Sequence, residues 1–332
     1  MSTASMVPVT VEIDGEELDF DDARTAIRSV GVRRLLVDSA MRFRYGDGFT
    51  NSRALALQVA LSVVPFMLAL TGLAADLDVG RASDVLSRTV SAMSVGGDDA
   101  PTAAGGQTGD EAEEAGEVAL AVGLVFALVS MTTAVAQIER GVNRIYGIER
   151  DRRSTAKYGR AAVLTAILAV PIGVGFMLLV GGGPFADAMA EEYGWTGTTV
   201  TVWHVVRWPA GTLLLTFAIA VLFDHVPRRR QPSLSWLALG SGIAVALTIT
   251  ASVLLALYVR ESGAFDDVYG SIAGVMALLL WSYLTSIALF VGAAVAAQLE
   301  AVRAGVTRPF DDDPGPAPGS PDDVESAMPS FG

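Results

Sequence analysis

Hydrophobic residues occur along this chain in blocks rather than in alternation. Six blocks are long enough to cross a bilayer as helix, which takes about 20 residues. They cover residues 54–75, 118–136, 161–181, 205–223, 234–259 and 269–299, and none has a charge near its centre. The last is the longest, with no charged side chain between Asp267 and Glu300. At 1.5 Å per residue it makes roughly 48 Å of helix, against a hydrocarbon core about 30 Å thick. Such a helix is either tilted or packed against other protein at both ends. Tyr269 and Gln298, at its two ends, fit the second option, while Trp281 and Tyr283 fall near mid-span and are expected to point between helices. The pattern predicts an all-α integral membrane protein, with a bundle of six transmembrane helices occupying residues 22–305.

Outside the blocks the chain is polar. Residues 1–21 are acidic, and VTVEIDGEELDF (9–20) alternates around Asp14-Gly15, a hairpin turn signal. Asp21 or Asp22 can cap a following helix with Ile27, Val30, Leu35, Leu36 and Met41 along one side. Because Arg28, Arg33, Arg34, Arg42 and Arg44 accompany them, residues 22–45 read as an interfacial helix lying on the membrane surface. An ordinary packed helix is the alternative. Residues 96–117 and 310–332 are rich in Gly, Pro and acid and predict disorder, so that an acidic tail follows the membrane domain from residue 306. The acidic first 22 residues do not resemble a secretory signal.

Charge adds an orientation. Arg140, Arg144, Arg150, Arg152, Arg153, Lys157 and Arg160 lie between the second and third spans, and Arg228, Arg229 and Arg230 between the fourth and fifth. Arg33, Arg34, Arg42, Arg44 and Arg53 precede the first, whereas the three remaining loops hold few cations. Positive residues stay inside, so both termini and the two basic loops are expected in the cytoplasm of a cell membrane. Arg150, Arg152, Arg153, Arg228, Arg229 and Arg230 are then candidate contacts for anionic lipid headgroups.

The whole chain has a net charge of −13, mean hydropathy +0.46, and no Lys except Lys157. An acidic surface with little Lys suggests a halophilic prokaryote; GC-rich coding with acidic tails is the alternative. The acid balance argues against nucleic acid as a partner. With no Cys and only His204 and His225, thiolate and multi-histidine metal sites are excluded, and no cofactor is implied.

The spans carry no catalytic motif, so the chain reads as a non-enzyme. Their polar residues are mostly Ser and Thr, whose usual role is to join helices at about 0.6 kcal/mol per contact. The best candidate for a site in the membrane is Gln58, Ser62 and Pro65: the first two share a helix face, and the proline frees a carbonyl one turn earlier. Gly270 with Gly274, and Gly292 with Ala296, have the small-xxx-small spacing that lets helices approach closely. Tyr269, Gly270, Trp281, Tyr283 and Gly292 are the candidate contacts of the sixth helix.

The order of several short motifs resembles the YihY/BrkB family of multi-pass membrane proteins, formerly mislabelled ribonuclease BN. They are LSVVPF (61–66), GVNRIYGIERDRR (141–153), LFDHVPRRR (222–230), LALGSG (237–242) and, the closest match, YVRESGAFDDVYGSIAGVMALLLWSYLTSIALFVGAA (258–294). The resemblance covers roughly residues 25–305. It implies six helices, cytoplasmic ends and a role in transport or envelope integrity. The chain departs from the family pattern in its last helix, where Ala294 and Ala296 stand in place of a Glu and an Asn, and in its first, where Gln58 replaces a Tyr. The last helix is therefore expected to act by packing rather than by proton exchange. The reading that follows is a transporter or lipid-handling protein of unknown substrate, with membrane lipids and a solute as partners and self-association open. The alternative is a structural membrane protein acting through partner proteins.

Overall fold

A computed structural model describes residues 6–10, 12, 20–76, 84–85, 88–89, 110–262, 270–306 and 308–311. Every regular element among them is helical. In chain order they are α1 (Phe20–Val30), α2 (Val32–Tyr45), α3 (Gly48–Asp76), α4 (Asp110–Ile145), α5 (Ser154–Phe176), a π turn (Met177–Gly181), α6 (Gly182–Tyr193), α7 (Gly197–His225), α8 (Leu234–Ser262), a short 3₁₀ turn (Gly270–Ile272) and α9 (Ala273–Arg303). Six stretches are long and apolar enough to span a membrane: one each in α3, α4, α7, α8 and α9, and one running from α5 through the π turn into α6. The turn of the predicted hairpin, Asp14-Gly15, and Tyr269 lie outside the described residues, and Phe20 at the hairpin's end belongs to α1.

The spanning helices pack as a ring, in the order α3, α4, α5, α7, α8, α9 and back to α3. Close approach is set by small residues. A Cβ on Gly240 of α8 would lie 2.6 Å from the Gly292 carbonyl oxygen of α9, and one on Gly292 would lie 2.5 Å from the Gly240 carbonyl oxygen. Neither position tolerates a side chain, and Ala296 fills the next turn of the same seam. The Gly292–Ala296 spacing therefore marks a helix contact. At Gly270 nothing among the described residues approaches the Cβ direction, and its φ of +50° serves the turn that leads into α9.

The overshoot of α9 is met by packing at its C-terminal end alone; Ile272 and Val275 at the other end are exposed. Its residues 292–301 are all buried, enclosed by α2, α3, α4 and α8. Trp281 points between helices: its indole N–H donates to Ser252 Oγ on α8 at 2.9 Å, and its ring meets Phe176 of α5 edge-on at 6.2 Å. Tyr283 is half-buried.

Three expectations require correction. Residues 22–45 form two helices, broken at Gly31, whose φ of +87° suits a residue without a Cβ. Both helices pack on the bundle through Ala23, Ala26, Leu35 and Phe43, and the most buried cation of the supposed polar face, Arg42, has no exposed surface. Second, the predicted disordered segment 96–117 ends in helix, because α4 begins at Asp110; residues 96–109 lie outside the described set. The stretch DEAEEAGE is rich in good helix formers. Joined to a long apolar helix, it escapes the nucleation penalty an isolated segment would meet. Third, the start of the predicted tail is packed: Phe310 stacks on Tyr45 at 4.2 Å, and the Asp311 amide donates to the Met6 carbonyl at 2.7 Å.

Candidate functional site

Residues 6–10, the C-terminal ends of α2, α4 and α9, and the α7–α8 loop converge at one end of the ring. Arg42, in the last turn of α2, lies at the centre. Its Nε donates to the Ile145 carbonyl at 2.8 Å, one terminal nitrogen to Gln298 Oε1 at 3.3 Å, and the other to the Pro8 carbonyl at 3.2 Å and to the Thr10 hydroxyl. Glu300 of α9, buried, accepts from the Tyr146 hydroxyl at 3.1 Å and pairs with Arg229 at 2.8 Å. The Arg229 guanidinium stands 4.9 Å over the Tyr146 ring. Arg42, Arg229, Glu300, Tyr146 and Gln298 thus form one buried cluster. Among the described residues two cations face one carboxylate in it, and Nη1 of Arg229 has no hydrogen-bond partner.

Burial lowers the Arg42 pKa to about 10, although the oxygens of Tyr146 and Glu300 favour its charge. Burial, reinforced by Glu300, raises the Tyr146 phenol well above its usual value. At neutral pH the cluster holds charged arginine and neutral tyrosine.

A second group adjoins it. Arg152 pairs with buried Glu139 at 3.0 Å, a charge contact without hydrogen-bond geometry, and donates to the Val226 and Pro227 carbonyls at 2.9 Å each. The Asn143 side chain accepts from the Arg228 amide at 2.9 Å and donates to Asp151 at 3.3 Å, and Asp151 also pairs with Lys157 at 3.2 Å. The two basic loops are thereby held to each other and to α4.

The structure divides the six predicted headgroup arginines. Arg150, Arg153, Arg228 and Arg230 are exposed. Arg152 and Arg229 are turned inward and neutralised by Glu139 and Glu300, so a headgroup role does not hold for these two. In the membrane site, Gln58 meets the Thr133 hydroxyl of α4 at 2.9 Å, while Ser62 donates to the Val59 carbonyl of its own helix at 2.7 Å. Pro65 is half-buried inside α3. Gln58 and Ser62 are not joined by a hydrogen bond; Gln58 links α3 to α4.

Sequence reasoning missed Arg42, Tyr146, Glu139 and Glu300. One signal for Glu300 was available: AAVAAQLEA is apolar or small on every face of its helix, which marks a segment enclosed by protein. An acid within it needs a buried partner. The sequence reading also passed over a cation within a span, Arg207 of α7. Beside the cluster, a cavity of about 500 Å³ opens between α2, the start of α3 and α9, with Leu36, Met41, Phe49, Ile287 and Val291 among its mainly apolar walls and exposed Arg44 also lining it.

The six spans and all-helical ring define a multi-pass membrane protein. The chain belongs to the family described as virulence factor BrkB, whose model matches residues 40–315. Among curated relatives, a protein of Bacillus subtilis named as ribonuclease-like protein YfkH is 26% identical over 263 residues, covering 78% of this chain and 92% of that protein. A UPF0761 membrane protein of Chromohalobacter salexigens is 25% identical, covering 81% of this chain and 63% of that one. UPF0761 membrane protein PA0951 of Pseudomonas aeruginosa is 30% identical, covering 55% and 43%. The chain thus spans about half to two thirds of the UPF0761 relatives. No solved structure matches.

Proposed function

We propose that the protein is a transporter or lipid-handling protein whose basic end, facing the cytoplasm, is closed by the Arg42–Arg229–Glu300 cluster. The observation that carries this reading is the cluster itself. It joins five separate segments at one end of a ring by buried charge. Buried ion pairs stabilise a fold less than apolar side chains of the same volume, and their best-attested use is to specify one arrangement among alternatives. A lock between α2, the α7–α8 loop and α9 suits a gate that exchanges two arrangements. The ring also contains hydroxyls that are buried without a hydrogen-bond partner among the described residues, Thr165, Ser282 and Thr285. These suit a polar path between helices. The apolar cavity beside exposed Arg44 suits an acyl chain with an anionic head.

The test is flux in proteoliposomes, with fluorescently labelled phosphatidylglycerol in the bilayer and a small anionic dye inside. The wild type is expected to accelerate lipid exchange or dye release over protein-free vesicles, and Glu300→Gln to change that rate severalfold. If neither protein differs from empty vesicles with either probe, transport is wrong and a structural role acting through partners takes its place.

A further inference from the structure

Arg207 lies ten residues into α7, about 15 Å along the helix from its start, in the half away from the ion cluster. Its side chain runs along the Gly182–Gly183 backbone at the junction of the π turn and α6. A Cβ on Gly182 would stand 2.9 Å from its Cδ, and one on Gly183 would stand 3.5 Å from Nη1. Trp203 fixes this ledge by donating from its indole to the Gly182 carbonyl at 2.6 Å, and it is itself packed against Phe185 and Trp195. The Trp208 ring lies 5.5 Å from the guanidinium. Among the described residues Nε, which is buried, has no hydrogen-bond partner, and no carboxylate pairs with the side chain. The two acids at the end of α6, Glu191 and Glu192, are already engaged by Arg88.

A guanidinium in a membrane span is expensive unless an anion neutralises it, and its planar fork matches the paired oxygens of phosphate or carboxylate. We infer that Arg207, on the Gly182–Gly183 ledge and between Trp203 and Trp208, is a binding site for a phosphate-type oxyanion at the end of the bundle opposite the ion cluster. The glycines leave the fork uncovered, and the indole rings give the site an amphipathic wall. The oxyanion has two possible sources, an anionic lipid headgroup or a free organic phosphate. The site stands whether or not transport depends on it.

Tryptophan fluorescence reads the site directly, because Trp203 and Trp208 border it. The full chain in an uncharged maltoside detergent is titrated with short-chain phosphatidylglycerol and, separately, with glycerol phosphate. A saturable response to at least one ligand is expected, with Arg207→Gln weakening apparent affinity at least tenfold. Arg260→Gln, removing an exposed arginine, should leave it unchanged. A response to the lipid alone assigns the headgroup source; a response to glycerol phosphate assigns the free one. Should Arg207→Gln fail to fold, Gly183→Leu keeps the cation and covers the fork, and the same loss is expected. No saturable response in the wild type, equal losses in Arg207→Gln and Arg260→Gln, or undiminished binding in the Gln and Leu variants would overturn the assignment.

Discussion

The two ends of the bundle use arginine in opposite ways. At the basic end, Arg42, Arg152 and Arg229 are buried or nearly so, and each meets a carboxylate, a set of carbonyls or both. In the other half, Arg207 is packed between indoles and glycine backbone with no acid among the described residues to answer it. The difference shows that counting cations per loop is a statement about topology alone. Whether an arginine is a structural strut or an exposed contact depends on what the fold places within 4 Å of it.

The comparison is most easily broken by removing one charge at each end. Glu300→Ala leaves Arg42 and Arg229 buried without their acid and is expected to destabilise by about 3–5 kcal/mol. Arg207→Met removes a charge that no carboxylate among the described residues neutralises and should stabilise by about 1–3 kcal/mol. Denaturation in detergent micelles checks both, and equal effects at the two ends would remove the contrast.

A second test concerns the seam beneath the cluster. Gly240→Val places atoms against the Gly292 carbonyl and should cost about 1–3 kcal/mol by forcing α8 from α9. If the variant unfolds like the wild type, the seam is not close-packed.

A third follows from titration. Tyr146 keeps its proton in the folded chain at pH values where the unfolded chain loses it, near pH 10. Its stabilising contribution is therefore present below pH 10 and is lost as pH rises above it, by up to about 1.4 kcal/mol per pH unit. Arg42 acts in the opposite direction, because burial makes its folded form release the proton from about 10, below the ordinary guanidinium value. That contribution is shared by the wild type and Tyr146→Phe, so the gap between their stabilities should narrow above pH 10. Parallel stability profiles would place Tyr146 outside the buried cluster. The smallest effect is expected at mid-membrane, where Gln58→Leu breaks one hydrogen bond to Thr133 at about 0.6 kcal/mol.

Much of the architecture was legible because the bilayer restricts what a chain can do. Apolar blocks near 20 residues must be helices that satisfy their own backbone, so the six spans and the all-α class follow from hydropathy alone. The Gly292–Ala296 spacing and the mid-span Trp281 were legible for the same local reason: both depend on helical periodicity. The candidate site was not. Arg42 and Glu300 are 258 positions apart, and nothing along the chain marks them as partners. Arg42 belongs to a helix that reads as amphipathic and interfacial, yet one turn beyond Asp38 it enters the core. Ala294 drew attention because it lacks a carboxylate, while the buried carboxylate of α9 stands six residues later.

The sequence by itself determined the solvent in which this protein lives, the number of its spanning helices and the end at which its cations gather, because each of these is a sum over neighbouring residues. Only the tertiary structure decided which of the described cations are buried against carboxylates and carbonyls and which are not. Charge energies depend on distance and burial, and both are set by helices that meet across the ring rather than along the chain.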